Sequence, residues 1–112
     1  MDIAATLVRY LDEQSDVEWY HNAPTNTSDE FGTLTRDGGP SEIVRDNPTI
    51  TAFVYGGSRP RSEELAEQAR QLLLDAQYEI DGIFGCEIFS IMHEIVDGRH
   101  RHRITASLIV ND

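Results

Sequence analysis

The side chains best suited to chemistry crowd toward the C-terminal end of this sequence. Asp97-Gly98 separates two apolar-rich runs, Cys86–Val96 and Arg99–Val110, and is a strong signal for a two-residue β-hairpin turn. Pairing Val96 with Arg99 sets Glu94 opposite Arg101, His93 opposite His102 and Ile91 opposite Ile104. Neighbouring imidazoles can bind a transition metal, and His100 lies two residues from His102. The nearest carboxylate on the strand, Glu94, points to the other face. A hydrogen-bonded histidine pair is therefore the default, and no metal is assigned.

The run Arg99-His100-Arg101-His102-Arg103 is basic only along the chain. Strand alternation splits it into an arginine face and a histidine face. Three arginines at this spacing could touch nucleic acid, but such a row more often pairs with carboxylates, here Glu94 or a neighbouring subunit's acids. Arg99, Arg101, Arg103 and Glu94, with Arg36 and Asp37, form the candidate subunit or partner interface.

Other groups offer less. Cys86 opens a strand and reads as a small core residue, since free cysteine is commonly buried. The serines sit in no nucleophile-elbow pattern. Gly56-Gly57-Ser58 follows a strand and precedes a helix, as a phosphate-binding turn does, but it lacks the glycine spacing and the lysine of one. No catalytic residue and no cofactor are assigned, and the chain is not expected to be an enzyme.

The elements that must carry these groups follow from periodicity. Ile3, Leu7 and Leu11, widened by Ala4 and Val8, predict a helix over 2–14 capped by Asp2. Val17–Tyr20 and Phe31–Thr35 read as short strands around a polar loop at 21–29. Arg36-Asp37-Gly38-Gly39-Pro40 reads as a turn, with Glu42–Arg45 returning as a partner strand. Thr49–Tyr55 is a strand with Ile50, Ala52 and Val54 on one face. Ser62 to about Gln77 is a second helix, capped by Ser62, with Leu65, Ala69, Leu72, Leu73 and Ala76 as its stripe. In the hairpin, Phe89, Ile91, Ile95, Ile104, Ala106, Leu108 and Val110 form the expected core face. The whole is expected to be α+β: one small domain, 1–112, with a mainly antiparallel sheet ending in a C-terminal hairpin and two helices packed on one face.

Composition sets the class. The chain has 112 residues, 39% hydrophobic and 26% charged, which suits one globular domain. No apolar run is long enough to span a bilayer, and the first residues lack a signal-peptide pattern, so an intracellular site of assembly is expected. Twenty acidic residues against nine basic ones give a formal charge of −11, and every basic residue is arginine. Such a chain is a poor generic DNA binder. A lysine-free acidic surface suits proteins of salt-loving archaea, where salt screens the repulsion; a GC-rich genome is the other source of such a composition.

Gly38-Gly39-Pro40, then Asn47-Pro48-Thr49-Ile50-Thr51-Ala52-Phe53-Val54-Tyr55-Gly56, then Glu64-Leu65-Ala66-Glu67-Gln68-Ala69-Arg70-Gln71-Leu72-Leu73 resemble siphovirus tail-terminator proteins, also known as minor capsid proteins. The likeness runs over residues 2–110 and is carried by element order and spacing, while residues 21–35 have no counterpart. With the composition, it resembles a terminator from a tailed virus of a salt-loving archaeon. The resemblance implies a virion protein of the tail and neck, assembled in the host cytoplasm. It implies a homo-oligomeric ring, usually a hexamer, that caps the tail tube protein and docks to the head–tail connector. DNA would pass through its lumen without specific binding. Two alternatives stand beside it: a head-completion or stopper protein of the same neck, and a ferredoxin-like regulatory domain binding a small molecule at Gly56-Gly57.

Overall fold

The structure, a computed structural model, describes residues 1–25, 29–38 and 46–111. Apolar spacing and two caps account for both helices. Helix α1 spans Ile3–Gln14; Asp2 accepts a hydrogen bond from the Ala5 N–H at 3.1 Å, and Ile3, Leu7, Val8 and Leu11 are buried. Helix α2 spans Arg59–Glu79 and starts earlier than the Ser62 cap expected from sequence. Ser58 is the cap, its Oγ accepting from the Arg61 N–H at 3.2 Å. Pro60 sits in the first turn, where a missing N–H costs nothing. Ser62 is instead a fully buried member of the helix, beside Leu65, Ala66, Ala69, Leu73 and Ala76.

Five strands form one sheet: β1 (Glu18–Tyr20), β2 (Phe31–Gly38), β3 (Thr49–Gly56), β4 (Ile83–Val96) and β5 (Arg99–Val110). Their order is β1-β2-β3-β5-β4, and β1 against β2 is the parallel pair in an otherwise antiparallel sheet. Arg36, Asp37 and Gly38, expected in a turn, continue β2, with a register shift between Arg36 and Gly38. Gly39, Pro40 and the expected strand Glu42–Arg45 lie outside the described residues.

Both helices cover one face of the sheet, as the α+β expectation had it. The layer between them holds Trp19, Leu34, Ile50, Ala52, Val54, Ile104, Ala106, Leu108 and Val110, all buried. Close approach decides two glycines. A Cβ on Gly32 would stand 2.5 Å from the Trp19 indole, and one on Gly56 would stand 2.5 Å from the Ser62 backbone. The first lets β1 fold its tryptophan across β2, and the second seats the start of α2 against the end of β3.

The hairpin turns at Asp97 (φ 51°) and Gly98 (φ 76°), the left-handed pair that a two-residue turn needs. The expected pairing holds from Val96↔Arg99 to Ser90↔Thr105. Register shifts between Ile88 and Ser90, and between Ile83 and Gly85, then leave Phe89 and Phe84 as extra residues. The expected core face is correct on β5 and wrong on β4. Ile104, Ala106, Leu108 and Val110 are sealed, whereas Phe89 is 55%, Ile91 36% and Ile95 62% exposed. Core contact along β4 is made by Ile83, Cys86 and Ile88; beyond the Phe89 bulge its apolar side chains stand outside the helix layer.

Candidate functional site

The sheet face away from the helices carries the residues singled out from sequence. Cross-strand partners share a face, so Phe31, Tyr55 and Arg101 line up across β2, β3 and β5, with Glu94 next on β4. Phe31 and Tyr55 stack with ring centroids 4.4 Å apart, and Tyr20 meets Phe31 edge-on at 6.4 Å. The Arg101 guanidinium lies 4.1 Å from the Phe53 ring centroid. It also donates from Nη1 to the Tyr55 hydroxyl at 2.9 Å and from Nε to Glu94 at 3.0 Å. Arg103 reaches the second Glu94 oxygen at 2.9 Å. Arg99 sits over Phe31 at 6.0 Å.

Glu94 thus answers two arginines rather than the one opposite it. A carboxylate has acceptor sites for both, and the diagonal cross-strand neighbour is within reach of long side chains. Held by Glu94 and the Tyr55 hydroxyl and lying on the Phe53 ring, the Arg101 guanidinium is a fixed cation rather than a loose one.

Arg36 and Asp37 do not join this cluster. Asp37 accepts from the Thr35 and Thr51 hydroxyls at the threonine end of the same face. Arg36 pairs with Ile50, a core-facing residue, and makes a two-pronged bond to Asp46 at 2.6 and 2.9 Å. The six-residue interface expected from sequence therefore divides into an aromatic–arginine cluster and two residues engaged elsewhere.

The histidines occupy the helix-covered side. His93 Nε2 lies 2.9 Å from His100 Nδ1, and its ring packs 5.3 Å from that of His102. The pair expected across the turn, His93 with His102, is a packing contact; the hydrogen bond goes to His100. His102 is buried, with Nδ1 2.8 Å from Ser62 Oγ, which also contacts the Arg59 carbonyl at 3.2 Å. Sequence reasoning missed Ser62 because it read this serine as a cap; Pro60 was the signal that the helix starts earlier. A serine–histidine contact has the form of a nucleophile and its base, but this hydroxyl is fully buried. Loss of hydration, first, and neighbouring Arg59 and imidazole charges, next, hold His93 and His102 below the ordinary histidine range, with Glu63 opposing. No group of three or more His, Cys, Asp or Glu among the described residues could hold a metal ion. Burial pushes the Cys86 thiol up to about 11, which leaves it protonated and unreactive at neutral pH. No helix among the described residues is long and apolar enough to cross a membrane.

No protein-family model matches this chain, and no curated protein matches it in sequence.

Proposed function

We propose that this chain is a structural assembly protein, and that it works as the ring-forming tail terminator of a siphovirus-type particle. The observation that carries the assembly reading is the sheet face that, among the described residues, no helix covers, where Arg101 bridges Phe53, Tyr55 and Glu94. Aromatic residues and arginine are the types enriched where proteins meet. A platform already folded onto itself loses little side-chain freedom when a partner covers it. The narrower reading rests on the resemblance in sequence, and the element order is compatible with it: a helix, a strand after Asn47-Pro48, an alanine-bearing helix and an arginine-bearing hairpin.

On this reading the chain is not an enzyme and uses no cofactor. The arginine face meets protein carboxylates in a neighbouring subunit or in the tube, and the net charge of −11 keeps passing DNA from sticking. The test is electron microscopy of the purified chain in molar salt, mixed with tubes grown from the tube protein of the same particle. The expected result is a ring of about six copies seated on tube ends. Replacing Arg101 and Tyr55 with Ala should abolish capping while circular dichroism stays native. Tubes that grow without limit beside wild-type chain would overturn the reading.

A further inference from the structure

Strand β4 is the last strand of the sheet and has fourteen residues. β5 pairs with one side of it, and among the described residues no strand pairs with the other. A long open edge is a template for another strand, and proteins ordinarily blunt it with lysine, proline, inward charges or bulges. β4 has no lysine and no proline; its bulges at Phe84 and Phe89 and the exposed Glu87 all lie before Ser90, and Ser90–His93 contains neither a carboxylate nor an arginine. Glu94, the next residue, is neutralised by Arg101 and Arg103. Phe84, Phe89, Ile91, Met92 and Ile95 are between 36% and 62% exposed, so most of the large exposed apolar side chains gather on this one strand.

We propose that the free chain dimerises through β4, two copies pairing antiparallel about a two-fold axis to join their sheets into one. This goes beyond the ring reading and does not rest on it, because a ring needs a heterologous contact whereas this one is isologous.

Three observations favour a second copy as the occupant. The opposite edge of the sheet, β1, has three residues, so continuing the sheet head to tail would pair three residues of β4 where a two-fold register pairs the seven of Ser90–Val96. Within Ser90–Val96 the exposed apolar side chains are Ile91, Met92 and Ile95, which offer on the order of 300 Å² per copy, given roughly 150–250 Å² for a large side chain. That is below the ~800 Å² per partner of a standard interface, so the contact is a weak one that dilution reverses. The third is register. The bulge at Phe89 ends the regular run at Ser90–Val96. Centring the axis on His93 sets Ile91 against Ile95 of the second copy, twice, and Met92 against Glu94. Both exposed isoleucines are then covered, no carboxylate opposes a carboxylate, and the two His93 side chains meet at the axis.

The experiment is light scattering after size exclusion in molar salt, with amide hydrogen exchange on the same samples. At about 100 μM the wild-type mass should be twice that of one chain, and dilution should halve it. Exchange across Ser90–Val96 should slow as concentration rises, and this decides the matter without any variant. Ile91→Lys with Ile95→Lys should raise the dimer Kd at least about tenfold. Tyr78→Lys, at an exposed position on α2, should leave it unchanged. A monomer at about 100 μM, protection that ignores concentration, or a ring in place of the dimer would each overturn the proposal.

Discussion

Ser62 and His102 are both buried, and each satisfies a polar atom of the other across 2.8 Å. Ser62→Ala keeps the volume near native and leaves the imidazole Nδ1 without that partner, so it should cost about 1–3 kcal/mol in urea unfolding. The same cluster sets a pH dependence. His93 and His102 titrate below the ordinary value of 6.5 when folded, chiefly through lost hydration. The unfolded chain then binds those protons more readily, so their stability is intact above about pH 6.5 and falls away as pH drops below it. Thermal melts from about pH 7.5 to about pH 5 should show the decline, and His93→Gln with His102→Gln should flatten it. Acid also relieves the negative net charge, but wild type and variant share that effect, so their difference isolates the histidines. Of these contacts, Glu94–Arg101 was legible because a two-residue turn fixes register. Ser62–His102 was not, since nothing local says which residue of a helix meets a strand forty positions away.

At the scale of elements, periodicity served where one face is buried and failed where a strand leaves the core. Ile50, Ala52 and Val54 alternate into the helix layer, as do Ile104, Ala106 and Leu108. Ile91 and Ile95 keep the same alternation and are exposed, because β4 is the outer strand. A bulge also adds a residue that alternation cannot announce, and Phe89, expected in the core, is that residue and is exposed. Trp19 and Gly32 are a subtler case. The glycine looks dispensable in a strand, yet the indole occupies the place of its side chain. Gly32→Ala must push the ring aside or separate β1 from β2. We expect a loss of about 1–3 kcal/mol, as for other overpacked cores. The chain has one tryptophan, so its emission should shift to the red in the folded variant; an unshifted band with native stability would show that β1 adapts freely.

For the molecule as a whole, charge outweighs any single contact. Twenty carboxylates face nine arginines, so most acids cannot have a cation of their own. Several arginines are already committed in pairs, including Arg36 to Asp46, Arg61 to Glu30 and Arg70 to Glu67. Where α1 meets the end of α2, Glu13, Glu79 and Asp81 line one groove beside Tyr10, with Arg9 also in its lining. The Tyr10 hydroxyl is pushed above its usual range, by burial first and then by Asp75 and Glu79, which marks a negative field there. Salt screens that field, because the Debye length grows from about 3 Å at 1 M to about 10 Å at 0.1 M. Diluting the salt should therefore loosen the seam between the helices. A loss of 1 kcal/mol lowers Tm by roughly 4–8 °C in a domain near this size, so a drop of that order is expected between 1 M and 0.1 M potassium chloride. Strongly excluded salts such as sulfate also strengthen apolar burial, so the salt is kept as chloride and a control isolates the charge effect. Glu13→Gln, Glu79→Gln and Asp81→Asn together remove three charges from one groove and leave the buried core intact. The triple variant should melt higher than wild type in 0.1 M salt and nearly level with it in 1 M. Equal salt slopes for the two proteins would show that the acidic groove is not what low salt unsettles.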